Sequence, residues 1–188
     1  FLGKLDFASC PQVDMVRKTA SLFPHGDVNG KTLGVAMEDE LSGNLTLSFN
    51  MLSVDAASMD GEFDGRIPVC GNDENVLEVV RARMAEQGLT LLNKALIPPH
   101  HVSADSYFVK TLLAAFELYT GRKGECQALG GGTYVHHLEN GVAFGAAMPE
   151  TDNKMHGPDE FAVVAQRSSR RRLWICAADL LSKRIRNG

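Results

Sequence analysis

Three stretches of the sequence have residue types and spacing suited to holding a small charged molecule. They are Phe63-Asp64-Gly65-Arg66-Ile67-Pro68, Gly130-Gly131-Gly132-Thr133, and Lys154-Met155-His156-Gly157-Pro158-Asp159-Glu160. An arginine fixed on a strand grips a carboxylate with two parallel N–H···O bonds, which an ammonium does less specifically. The plainer reading of Arg66 is a surface ion pair with Glu62, Asp64 or another acid. A run of glycines directly after a strand presents several main-chain N–H groups to an anion, or simply makes a tight bend that needs glycine dihedrals. No lysine follows in a Walker arrangement and G-x-G-x-x-G is absent, so a nucleotide site is poorly supported. His156, isolated in a polar loop before Gly-Pro, has the setting of a metal ligand or a catalytic group. The other histidines fit such roles less well. His25 lies between Pro24 and Gly26, as in a surface turn. In extended chain, His100-His101 and His136-His137 would send their rings to opposite faces, so only one of each pair could serve a given site.

The elements that must position these groups follow from hydrophobic spacing. Val13, Val16, Ala20 and Phe23 recur at helical intervals behind Pro11, which suits a first helical turn, and Pro24 and Gly26 stop the pattern. Residues 33–40 read as a strand. Leu45, Leu47, Phe49 and Met51 alternate with polar residues, as in a strand with one buried face, and a change of parity at Leu52 and Val54 suggests a bulge. Residues 61–69 read as a third strand, carrying Arg66 on the face opposite Phe63 and Ile67. Asn72 caps a helix that turns Val76, Leu77, Val80 and Met84 inward and ends at Gly88. Residues 89–97 read as a further strand, closed by Pro98-Pro99. Residues 1–102 thus predict a two-layer α+β sandwich with an antiparallel sheet. Beyond it, Ser103 or Asp105 caps a helix with Phe108, Leu112, Phe116 and Tyr119 on one stripe, ended by Gly121. Short strands at 126–129 and 141–147 flank the glycine loop. With so few elements, this second block needs something else to bury its apolar faces against.

The chain has 188 residues, 44% of them hydrophobic and 22% charged, a soluble composition without an apolar run of membrane-spanning length. Cys10, Cys70, Cys126 and Cys176 are widely spaced without a C-x-x-C pair, which fits reduced thiols and a cytoplasmic protein. The net charge of −4 is uneven: residues 167–188 carry seven Lys/Arg against Asp179, leaving the rest at −10. So acidic a body disfavours nucleic acid as a partner, and no aromatic residues interleave the terminal arginines. The first residue is Phe1 rather than methionine, which suggests processing or a piece of something longer.

Taken together and in order, FDGRIPVCGNDENV, DSYFVKTLLAAFELYTGRKGE, ALGGGTYVHHLENGVAFG and MHGPDEF resemble the dinuclear-metal peptidases of the aminoacylase and carboxypeptidase-G type. The branch most resembled is that of dipeptidase V and the carnosinase-like dipeptidases. The resemblance runs from about Cys10 to Val164. It implies a dipeptide substrate, hydrolysed by water activated between two divalent metal ions, zinc or manganese, under an inserted α+β lid. It also implies that residues 1–102 are the later part of that lid and 103–188 the C-terminal part of the α/β catalytic domain. By motif, His156 matches the late metal ligand, Arg66 the lid arginine on the substrate's C-terminal carboxylate, and Gly131, Gly132 and Thr133 the loop that holds the same end.

Some features of that family have no counterpart in this sequence. Its H-x-D motif, bridging aspartate, Glu-Glu pair, further aspartate and lid histidine would all lie before Phe1. No catalytic residue is therefore assigned, at most one metal ligand is present, and the chain is expected to be an inactive fragment of a hydrolase lacking its N-terminal catalytic portion. Residues 165–188 put arginines where the family would run a buried helical stripe. The rival expectation is a non-catalytic α+β module that binds a carboxylate at Arg66 or forms a homodimer through an exposed sheet edge.

Overall fold

A computed structural model describes residues 6–129, 132, 134–144, 148, 151–164, 174, 177 and 178. The chain is a small α+β protein that divides into two compact units. One is built mainly from residues up to His100 and the other mainly from His101 onward.

In the first unit, helix α1 (Pro11–Leu22) starts on the proline, whose fixed φ suits a first turn, and buries Thr19 and Leu22. Two short antiparallel strands follow, β1 (Glu38–Asp39) and β2 (Gly43–Asn44). Next comes a longer antiparallel pair, β3 (Thr46–Val54) and β4 (Met59–Arg66). The chain then enters helix α2 (Glu78–Glu86) through one wide turn at Asp73–Leu77. Asn72 starts that turn: its side-chain oxygen accepts the N–H of Glu74 at 2.9 Å and of Asn75 at 3.0 Å, while Asn75 Oδ1 takes the Asn72 N–H at 2.7 Å. The buried core contains Leu22, Leu33, Val35, Leu45, Val76, Leu77, Val80 and Leu91. The Phe23 ring, just past α1, sits 5.0 Å from Phe49 and 5.1 Å from Phe63, joining the helix end to the inner face of the β3–β4 sheet.

The parity change predicted near Leu52 is real and lies slightly earlier. Phe49 faces Phe63 but Met51 faces Glu62, so Asn50 is an extra residue in β3. The bulge leaves Met51 62% exposed and returns Leu52 to the half-buried side.

Two segments expected to be strands are not. Within 33–40 only Glu38 and Asp39 pair as strand, because the preceding amides are already used. Asp27 accepts the N–H of Lys31 at 3.0 Å and of Thr32 at 2.7 Å, and Val35 N–H bonds the Gly30 carbonyl at 3.0 Å. Leu33 and Val35 therefore reach the core from a turn. Residues 89–97 contain no strand either. The Arg81 guanidinium donates to the carbonyls of Leu91 at 3.2 Å and Asn93 at 2.8 Å, and Asp73 accepts the Leu96 N–H at 2.8 Å. Side chains satisfy the main-chain groups that a sheet ladder would have used.

The second unit is organised on helix α3 (Tyr107–Thr120). Its N-cap is Ser106, whose Oγ accepts the Val109 N–H at 3.2 Å, rather than Ser103 or Asp105. Ser103 accepts the Asp105 N–H at 3.1 Å, and Asp105 pairs with Lys110 at 2.9 Å. Gly121 ends the helix in the left-handed conformation, φ 68°, as its position predicts. Leu112 and Ala115 are buried with Ala177, and Phe108, Phe116, Val142 and Phe144 pack on them. Trp174 meets Phe144 edge to face at 5.1 Å. Residues 126–129 and 141–144 form no strand, and 145–147 lie outside the described residues. No helix among the described residues is long and apolar enough to cross a membrane.

Candidate functional site

Arg66 is the last residue of β4, facing Thr46 across the sheet on the side away from Phe63. Its side chain is 55% exposed, and its Nε lies 3.9 Å from Asp64 Oδ2. The plainer reading, a surface ion pair with a neighbouring acid, is thus realised. At that separation the contact is loose, so the guanidinium can still offer its remaining donors to a carboxylate arriving from solvent.

Of the glycine loop, Gly132 is described, whereas Gly131 and Thr133 lie outside the described residues. A Cβ built on Gly132 would meet no heavy atom of the described residues within 4 Å. The chain then forms a single tight turn at Tyr134–His137. In it the rings of His136 and His137 stand 5.9 Å apart, edge to face. The pair is therefore not in extended chain, and the argument that sent the two rings to opposite faces does not hold there.

His156 sits in an exposed loop whose backbone is unusual. Lys154, His156 and Asp159 all have positive φ, of 54°, 62° and 61°. The left-handed region costs a non-glycine residue about 1–2 kcal/mol, so three such residues among six need compensating bonds. Asp152 Oδ1 accepts the Lys154 N–H at 3.1 Å, the Lys154 carbonyl accepts the Gly157 N–H at 2.7 Å, and the Asn153 carbonyl accepts the Phe161 N–H at 3.2 Å. The Glu160 carboxylate takes the His156 N–H itself at 3.2 Å. Gly157 suits the turn, because a Cβ there would stand 3.0 Å from the Lys154 carbonyl oxygen, a tight contact.

Arg66 belongs to the first unit, and Gly132 and His156 to the second. Among the described residues no three His, Cys, Asp or Glu side chains gather closely enough to hold a metal ion. His156 has the donor chemistry of a zinc ligand, but one imidazole falls short of the four donors zinc ordinarily takes. The described residues do not by themselves fit a metal centre, and no reaction step through a metal is derived from them. A thiolate nucleophile is also disfavoured at Cys70. Cys10, Cys70 and Cys126 are free and exposed, and at Cys70 desolvation, followed by the neighbouring Asp39 carboxylate, pushes the thiol pKa up.

No protein-family model matches the chain. The sequence is similar to proteins named as dipeptidases. It is 37% identical over 139 residues to "Putative dipeptidase YtjP" of Bacillus subtilis, an alignment covering 72% of this chain and 29% of that protein. It is 31% identical over 141 residues to "Beta-Ala-Xaa dipeptidase" of Lactobacillus delbrueckii subsp. lactis, covering 74% and 30%. It is 30% identical over 139 residues to "Putative dipeptidase" of Staphylococcus epidermidis, covering 73% and 29%. The chain thus spans less than a third of the length of these relatives. The likeness supports a hydrolase of the dipeptidase kind.

Proposed function

We propose that this chain is the carboxylate-clamping and late-ligand portion of a metal-dependent dipeptidase. The observation that carries the reading is the similarity to dipeptidase-named relatives more than three times as long as the stretch they share with it. In this reading residues 1–102 belong to a lid over the substrate and 103–188 to the C-terminal part of a catalytic domain. Arg66 binds the C-terminal carboxylate of an unblocked dipeptide, a role its exposed, loosely paired guanidinium suits. Gly131, Gly132 and Thr133 hold the same end through main-chain donors. His156 is one ligand of a centre of two divalent ions, zinc or manganese, whose other ligands and general base come from outside this chain. A cytoplasmic setting belongs to the same proposal, supported by the free thiols.

The test is hydrolysis of unblocked dipeptides by the purified 188-residue chain with zinc or manganese added. No turnover is expected. Turnover that survives repurification would overturn the assignment of the missing ligands to another segment.

A second reading is favoured by one observation: among the described residues β4 has β3 on one side and no strand on the other. A non-catalytic module could use that edge for a second copy, or Arg66 for a small carboxylate. Calorimetry separates the two readings. The module binds a carboxylate without metal and loses it in Arg66→Ala, whereas the dipeptidase segment shows little affinity by itself.

A further inference from the structure

The Glu160 side chain has no part in the function proposed above, yet it makes the bond that acts on His156 itself, Glu160 Oε2 accepting the His156 main-chain N–H at 3.2 Å. The other bonds of the loop act on its flanks, at Asp152–Lys154, Lys154–Gly157 and Asn153–Phe161. His156 holds φ at 62°, and an L residue keeps that conformation only where its surroundings impose it. The direction of a side chain is set at Cα. A return of His156 to negative φ would swing its Cβ, and the imidazole with it, away from the present heading. A charged acceptor also binds an N–H more strongly than a neutral one.

We infer that Glu160 is a positioning residue: its carboxylate holds the left-handed main chain at His156 and thereby aims the imidazole. The functional meaning of that aim rests on the proposal that His156 is a metal ligand. The aiming itself is a property of this chain and can be tested without metal.

The experiment is NMR on the isotope-labelled 188-residue chain, reading the N–H to Hα coupling, the side-chain rotamer and amide hydrogen exchange at His156. In Glu160→Ala the coupling should leave its left-handed value and exchange at His156 should accelerate roughly five-fold, the factor an ordinary net hydrogen bond contributes. The amides of Lys154 and Gly157 should keep their wild-type behaviour. Glu160→Gln, which keeps an acceptor oxygen at the same reach, should restore most of the wild-type signature, and Glu160→Asp, one methylene shorter, should not. The last two variants decide the matter even if Glu160→Ala loosens the whole loop. Wild-type coupling and exchange at His156 in both Glu160→Ala and Glu160→Asp would overturn the inference. Titrating zinc into the wild-type sample and following the His156 ring nitrogens is a separate readout. A responding ring would support the ligand assignment, and the main-chain result stands or falls independently of it.

Discussion

Arg66 and Asp64 lie two residues apart on one face of β4, with Nε and Oδ2 separated by 3.9 Å and both side chains more than half exposed. An exposed pair of this kind contributes little to stability, because water screens it and two long side chains must be held in place. Arg66→Ala and Asp64→Asn should each change the unfolding free energy in urea by less than about 0.5 kcal/mol. A larger loss would make Arg66 a structural residue and weaken its assignment to substrate.

Gly30 is a more sensitive position. It has φ 69°, and a Cβ there would stand 2.7 Å from a methyl of buried Val35 and 3.6 Å from both Leu45 and Leu47. Gly30→Ala adds left-handed strain to overpacking in the core and should cost about 2–4 kcal/mol. Thermal or urea denaturation checks this, and a neutral result would mean that the 27–35 turn relaxes freely.

Acid stability should depend on two turn carboxylates. Main-chain N–H donors hold Asp27 and Asp39 down from the ordinary 3.8 to about 2, led by Thr32 for Asp27 and Ser42 for Asp39. Because the folded pKa is the lower one, the stabilisation is fully present above pH 3.8. It disappears as pH falls towards 2, when the folded state too must take up a proton. The wild-type denaturation midpoint should therefore drop between those values, and the drop should be shallower in Asp27→Asn and in Asp39→Asn. Parallel pH profiles for wild type and both variants would refute the assignment.

Ser106 tests the second unit. Its Oγ satisfies the Val109 N–H at the start of α3, and Ser106→Ala should cost about 1 kcal/mol. Circular dichroism during denaturation should show the loss. Ser103→Ala, whose hydroxyl takes a loop amide instead, should cost less.

Where local chemistry decided the structure, the sequence was readable. Pro11, Asn72 and Gly121 mark helix ends through their own dihedrals or side-chain oxygens, and all three sit where their chemistry suggests. The alternation through Leu45, Leu47 and Phe49 likewise marks the inner face of β3. The misreadings at 33–40 and 89–97 share one cause. Their apolar residues do reach the core, as Leu33, Val35 and Leu91 show, but bonds outside a ladder replace the strand pairing: a local turn held by Asp27 and the Gly30 carbonyl in the first, side-chain bonds from distant Arg81 and Asp73 in the second. A charged residue some distance away leaves no periodic trace in the segment it caps. Arg66 and His156 stood out by residue type and loop context. Glu160 did so only as part of a motif, because its contact with the His156 main chain depends on a left-handed turn that spacing does not reveal.

The surplus residue at Asn50 resets the phase of β3 midway along its length. Up to Phe49 the odd-numbered residues face inward, and past the bulge Leu52 takes over that side while Met51 is turned to water. Were the bulge straightened and Asn50 drawn into the ladder, an unbroken two-residue rhythm would thrust the thioether of Met51 under the sheet and expel the isobutyl group of Leu52. One unpaired residue thus keeps half a ribbon from turning inside out, and deleting it would leave Met51 and Leu52 on the faces they already occupy.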